Sequence, residues 1–212
     1  MKTTGSAPDT GQKETSCRRL RITYIEKDVL MDHGINKILT DYSLTEYREF
    51  NPELISIDKT VREMCRQNSC GQYGKNYTCP PYTKEIDAWS KEIYSFSHGI
   101  IFTKAYPRED SFDIESIMEG GMAFNKTVIK MREDLIHIFQ DKKILFLGAG
   151  PCMLCKRCAC LDNEPCRFPD RAVTSVEACG IEVIRLCRDL GVRYNNGEKS
   201  VTYIGVILYA KV

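Results

Sequence analysis

The 212-residue sequence is poor in histidine and tryptophan, with three of the first and one of the second. It has almost no excess charge: 30 Lys and Arg stand against 29 Asp and Glu, a formal net charge of +1. Near-neutrality removes bulk electrostatic attraction as a basis for binding nucleic acid or an anionic membrane. His33, His98 and His137 lie at no metal-ligand spacing, and no Ser-His-Asp or Cys-His arrangement stands out. The longest apolar runs, Ile144–Leu147 and Gly205–Ala210, fall well short of the ~20 residues a membrane-spanning helix needs. The opening Met1-Lys2-Thr-Thr-Gly-Ser has no apolar h-region, so no secretory signal is read and the expected compartment is the reducing cytosol.

What the sequence has in excess is cysteine, 11 in all. In a reducing compartment thiols seldom serve as structural disulfides, so this density points first to metal binding or redox chemistry. The odd number also argues against a complete disulfide framework.

Apolar periodicity alternates between strand and helix. Residues 1–16 are polar and aperiodic, and read as a disordered leader. Residues 17–50 read as an N-terminal extension packing on the core: a strand at Leu20–Tyr24, a helical face of Ile35, Ile38, Leu39 and Tyr42, and capping-box spacing at Ser43-Leu-Thr-Glu46 that predicts a further short helix. Residues 51–212 form the cysteine-rich domain. Within it Leu54–Ile57 reads as a short strand, and Asp58 as the cap of a helix reaching about Gln67. Thr83 reads as the cap of a helix with the face Ile86, Trp89, Ile93 and Phe96. Strands are expected at Gly99–Thr103, Lys143–Leu147 and Thr202–Tyr209. Gly120-Gly121 is expected to interrupt the chain before a strongly amphipathic helix carrying Phe124, Val128, Met131, Leu135 and Ile138. Residues 175–190 read as one helix with the stripe Val176, Cys179, Val183, Cys187 and Leu190. The fold class is therefore α/β, with helices packed on a mixed β-sheet and two cysteine-rich metal-binding loops.

The cysteines divide by setting. Cys17 lies beside the polar leader. Cys179 and Cys187 lie on an apolar helical stripe and read as core, because a buried free cysteine behaves as a small hydrophobe. The remaining eight occupy two loops rich in Gly and Pro. Cys65, Cys70 and Cys79 belong to the first; Cys152, Cys155, Cys158, Cys160 and Cys166 belong to the second.

The second loop contains C-x2-C-x2-C, the three-ligand run of bacterial ferredoxins, whose tight spacing lets successive thiolates reach separate corners of one cluster. A fourth ligand is expected there at x3. Here Cys160 follows at x1 and Cys166 lies further on, so the fourth ligand is open. Zinc is the rival, since structural zinc sites use C-x2-C pairs, but the overlapping triplet does not supply two separate knuckles. The first loop has three cysteines, one short of a full set, which invites Cys160 or Cys166 as a partner. Lys156, Arg157 and Arg167 flank the second loop, where cations would raise a cluster's potential. Tyr73, Tyr77 and Tyr82 are placed to shield the first loop. Gly148-Ala-Gly150 resembles the start of a dinucleotide-binding turn, but Met153 stands at the third glycine position and cysteines fill the region where a helix should open.

Two motifs carry a family resemblance: Cys65-x4-Cys70-x2-Tyr73-Gly74-x4-Cys79-Pro80-Pro81, and Gly148-x-Gly150-x-Cys152-x2-Cys155-x2-Cys158-x-Cys160-x5-Cys166-Arg167-Phe168-Pro169. With Ser175-x-Glu177-Ala178-x-Gly180-Ile181, they resemble the predicted metal-binding proteins of the domain-of-unknown-function series, over roughly residues 50–210. The resemblance implies a cysteine-ligated metal of iron–sulfur type and no established reaction. The expected cofactor is one or two 4Fe-4S clusters, with zinc as the alternative. The expected role is electron transfer with a redox partner protein. The rivals are a zinc-binding interaction module, and an enzyme using an open-site cluster or a reactive cysteine.

Overall fold

Two ten-residue strands, each carrying a continuous run of buried residues, form the centre of the sheet. The computed structural model describes residues 33–110, 112–139 and 143–210. In chain order the elements are α1 (residues 33–41), β1 (Glu46–Phe50), α2 (Lys59–Arg66), α3 (Ile86–Ile93), β2 (His98–Pro107), α4 (Ile114–Phe139), β3 (Ile144–Gly148), β4 (Thr174–Ser175), α5 (Val183–Leu190) and β5 (Ser200–Tyr209). The strands lie in the order β1-β2-β5-β3-β4. β2 and β5 pair antiparallel over their whole length, from His98 opposite Tyr209 to Pro107 opposite Ser200. β3 runs antiparallel to β5, and β4 parallel to β3.

Period-two alternation sends side chains to both faces, and both are covered. Ile101, Ile204, Val206 and Leu208 pack with Trp89 and Ile93 of α3, Leu186 and Cys187 of α5, and Cys179. Ile100, Phe102, Ile207 and Tyr209 pack with Ile35, Ile38 and Leu39 of α1 and with Phe124, Val128, Met131 and Leu135 of α4. Each fully buried side chain of this kind contributes about 1.5–3 kcal/mol. The expected α/β layering on a mixed sheet is what the chain adopts. Cys179 and Cys187 are core, as expected.

Several local expectations differ. Residues 46–50 are an edge strand, not a helix. Ser43 takes φ 49°, closing a turn after α1, and Glu46–Phe50 pairs with Gly99–Thr103 of β2. The aromatic ring of Phe50 lies over Gly99, where a Cβ would come within 2.7 Å of it. Pairing to a long neighbouring strand overrides a local cap signal. Residues 52–54 form a 3-10 turn, and only Ile57 joins a bridge, to Ile181. Gly120-Gly121 does not interrupt α4. The two glycines lie within it and make room for aromatic rings, since a Cβ on Gly120 would stand 3.1 Å from Tyr203 and 3.3 Å from Tyr106. The helix expected over 175–190 is broken in two at Gly180, whose φ of 83° ends a short 3-10 turn, Glu177–Cys179, before α5 begins. Asp58 does cap α2, accepting from the Thr60 N–H at 2.7 Å. Thr83 does not cap α3; its buried hydroxyl accepts from the Trp89 indole N–H at 3.3 Å. The polar leader, the strand at Leu20–Tyr24 and Cys17 lie outside the described residues.

This topology leaves a gap at one end of the sheet. β3 pairs with β5 only from Ile144–Tyr209 to Leu147–Val206, so the first half of β5 runs on past the end of β3. The chain leaves β3 at Gly148, and the second cysteine loop begins there. No helix among the described residues is long and apolar enough to cross a membrane.

Candidate metal centre

The first cysteine loop hangs from the end of α2. Arg62 of α2 is buried and donates to the backbone carbonyls of Lys84 at 2.6 Å and Thr83 at 3.4 Å, which closes the base of the loop. Inside it the Asn68 side chain accepts from the Tyr73 N–H at 2.9 Å, and the Gly74 N–H donates to the Pro80 carbonyl at 2.8 Å. Asn68, Gly71 and Gly74 all have positive φ, the left-handed conformation that Gly and Asn tolerate, and they fold the loop back on itself. The second loop, residues 149–173, is folded by its own contacts. Arg157 pairs with Asp162 at 2.7 Å, and Arg167 donates to the Arg157 carbonyl at 3.0 Å.

The loops meet along a seam. The Cys152 N–H donates to the Thr78 hydroxyl at 3.1 Å, and that hydroxyl donates to the Asn76 carboxamide at 2.9 Å. The Tyr77 hydroxyl donates to the Glu164 carbonyl at 2.7 Å. Asn76 and Thr78 are both buried. Buried polar groups in cysteine-rich loops need such partners, and here each loop supplies them to the other.

On the two sides of this seam the eight loop cysteines separate. Cys152, Cys155, Cys158 and Cys166 line a cavity of about 210 Å³, together with Lys75, Tyr77, Lys156 and Arg157. Cys65, Cys70 and Cys79 line another, of about 380 Å³, with Tyr73, Glu177, Tyr194 and Thr202. Cys160 lines neither: it is 2% exposed and its thiol lies beside Cys158. Neither Cys160 nor Cys166 is brought to the first set. Of the tyrosines expected to shield the first loop, Tyr73 does line its cavity. Tyr77 lies instead against the second set, edge-on to Tyr82.

The surroundings of the sulfurs differ. At Cys158 burial pushes the thiol up. The N–H groups of Cys160, Tyr77 and Ala159 and the Cys160 thiol all act the other way, and the net direction is down. Burial raises Cys152, against a backbone N–H from Leu154. Cys160 is pushed up to about 11, by burial and by its hydrogen bond to Cys158. In the first set burial raises Cys65, helped by Cys70 and Glu177. Cys79 is pushed up to about 11 by burial and by Cys70, partly offset by the Asn76 and Thr78 side chains. Thiols held protonated in this way release protons when a metal binds.

Glu177 is a site residue that spacing alone does not single out. It begins the 3-10 turn after β4, and Ser175 donates to its carboxylate. The side chain is exposed where it lines the concavity, and desolvation, against the Ser175 hydroxyl and its own backbone N–H, moves the carboxyl above the usual carboxylate range. Thr78 and Asn76 are likewise missed by cysteine spacing, although Thr78 immediately precedes Cys79. The donor set suits a soft metal or cluster, with thiols in two loops and amide N–H groups aimed at the sulfurs. Among the described residues, no three His, Cys, Asp or Glu side chains gather closely enough to hold a single ion. No curated protein and no solved structure matches the chain. The motifs in both loops, the β3 exit and the segment around Glu177 all lie within residues 48–209, which match one family model over most of the chain, and the chain belongs to that family, the predicted metal-binding proteins (DUF2284).

Proposed function

We propose that the protein is an iron–sulfur protein whose second loop holds a 4Fe-4S cluster through Cys152, Cys155, Cys158 and Cys166, and that it exchanges electrons with a partner protein. One observation carries this reading: four of the five cysteines of that loop line one cavity, and the fifth, Cys160, stands behind Cys158 as a hydrogen-bond donor. This answers the irregular spacing. Cys166 takes the place of the fourth ligand, and Cys160 tunes a ligand instead of serving as one. Hydrogen bonds to cluster sulfurs and nearby cations both raise a reduction potential. Cys158 has N–H donors, and Lys75, Lys156 and Arg157 stand at the cavity. The overlapping C-x2-C-x2-C triplet supports a cluster over zinc, because it does not supply the two separate pairs that a structural zinc site uses.

A cluster bound there supplies one-electron chemistry. The chain's part is to hold the thiolates, donate to their sulfurs and exclude water with Tyr77 and Phe168, which line the cavity. The test is metal and acid-labile sulfide analysis of anaerobically purified protein, with visible absorption and low-temperature EPR spectra. Iron and sulfide in equal amounts, about four of each per occupied set, is the expected result. Zinc without sulfide overturns the reading and makes the chain a structural or interaction module.

A further inference from the structure

The second set has four cysteines and the first has three. Beside the three lies the larger cavity, about 380 Å³, set where the parallel strands β3 and β4 end. The space beyond the carboxyl ends of parallel strands is where α/β sheets place ligands, because the loops leaving them diverge there. In this chain the divergence is pronounced. β3 stops, β5 continues as one wall through Thr202 and Ile204, and the opposite wall is the cysteine loop itself.

The charge on these walls is one-sided. The titratable groups that line the cavity are the three thiols, the Glu177 carboxyl and tyrosine phenols, and among the described residues no Lys, Arg or His lines it. Glu177, the one carboxylate on these walls among the described residues, faces no basic side chain across the cavity. Ser175 lies beside the Glu177 carboxyl and favours its charged form, and the Ser175 hydroxyl accepts from the Ala178 N–H at 3.2 Å. Tyr194 lies close enough to Glu177 to feel its charge, and Tyr73 lines the same cavity. A carboxylate and thiols on walls without a basic side chain attract an organic cation and disfavour a free anion.

We propose that this cavity is a substrate pocket in which a small amine-bearing molecule binds between the Glu177 carboxyl and a metal centre held by Cys65, Cys70 and Cys79. The proposal rests on the reading that the loop cysteines hold metal, and adds the chemical class that occupies the space between that centre and Glu177. Glu177 is the residue that selects the ligand, and it is not a ligand of the metal.

The probes are n-butylammonium and butyrate, which share a carbon skeleton and differ in charge. Iron is first measured in anaerobically loaded wild type, in Glu177→Gln and in the combined Cys65→Ser, Cys70→Ser, Cys79→Ser variant. The expected result is loss of part of the iron in the cysteine variant and none in Glu177→Gln. Each probe is then titrated, following broadening of its NMR lines by the nearby paramagnetic centre. Wild type should broaden butylammonium and leave butyrate sharp, and Glu177→Gln should weaken butylammonium binding by about tenfold or more. Unchanged iron in the cysteine variant shows that the first set holds no metal, and the proposal falls with that premise. With iron lost as expected, three results overturn the pocket alone: equal binding of the two probes, no binding of butylammonium, or unchanged affinity in Glu177→Gln. Loss of iron in Glu177→Gln makes Glu177 a ligand and overturns its assigned role.

Discussion

Replacing Gly180 by alanine is expected to destabilise the protein by about 2–3 kcal/mol and to loosen the first cysteine set. Gly180 has φ 83° and ψ 14°. An L-residue at positive φ costs roughly 1–2 kcal/mol. The added Cβ would also stand 3.2 Å from the Asp58 carbonyl oxygen and 3.3 Å from both Ile57 Cγ2 and Ile86 Cδ1. Crowding a backbone oxygen and two packed methyl groups adds about 1 kcal/mol. The disturbance reaches the site because the Gly180 carbonyl accepts from the Asp58 N–H at 2.8 Å, and Asp58 caps α2, near whose end Cys65 lies. Gly191 is the matched control. Its φ is 66° and a Cβ there meets nothing within 4 Å, so Gly191→Ala pays the backbone term alone, about 1 kcal/mol. Urea unfolding of both variants, under the same metal conditions, measures the difference. In a chain of this size each kcal/mol corresponds to roughly 2–4 °C in Tm. Iodoacetamide should also label Cys65 faster in Gly180→Ala than in Gly191→Ala. A Gly180→Ala variant no less stable than Gly191→Ala, with unchanged labelling, refutes the argument that this contact fixes α2.

Single Cys152→Ala, Cys155→Ala or Cys166→Ala should lower iron content by one centre, whereas Cys160→Ala should keep the iron and lower the reduction potential, as voltammetry would show. On the alkaline side, burial holds the thiols of Cys179 and Cys187 above their ordinary range, Cys187 at about 11. The folded state therefore keeps protons that the unfolded state releases above about pH 8.5, and stability falls as pH rises from there towards 11, by at most about 1.4 kcal/mol per pH unit for each thiol. Cys187→Ala should flatten that limb in unfolding curves measured from pH 8 to 10.5. A Cβ on Gly205 would come within 2.3 Å of the Phe102 ring. Gly205→Ala should thus cost about 1–3 kcal/mol or more, and Phe102→Leu in the same chain should recover part of it, a coupling readable by a double-mutant cycle.

Much of the fold was legible because its strongest signals are periodic. The step pattern of Phe124, Val128, Met131 and Leu135 places α4, and the apolar runs at 143–147 and 202–209 place β3 and β5. β1 was not legible, because its pairing with β2 is non-local and its own sequence carries a helix cap signal. The break at Gly180 was hidden because Val176, Cys179, Val183 and Cys187 are all buried although two elements carry them. The site was legible in kind but not in grouping. Spacing identified eight loop cysteines, yet only the folded loops separate a set of four from a set of three and set Cys160 aside. Glu177 gave no spacing signal because a carboxylate at a cavity wall has no fixed distance in sequence from the thiols it faces.

The Thr78 seam has a consequence for how the protein fills. Thr78 adjoins Cys79 in the chain and accepts from the Cys152 N–H, so one residue forms part of the frame of both sets. Whatever orders one loop has already met part of the entropy cost of ordering the other. On the iron–sulfur reading, loading the two sets is a coupled equilibrium, each occupied set raising the affinity of its neighbour by the same factor. Losing one set then weakens the affinity of the other without emptying it.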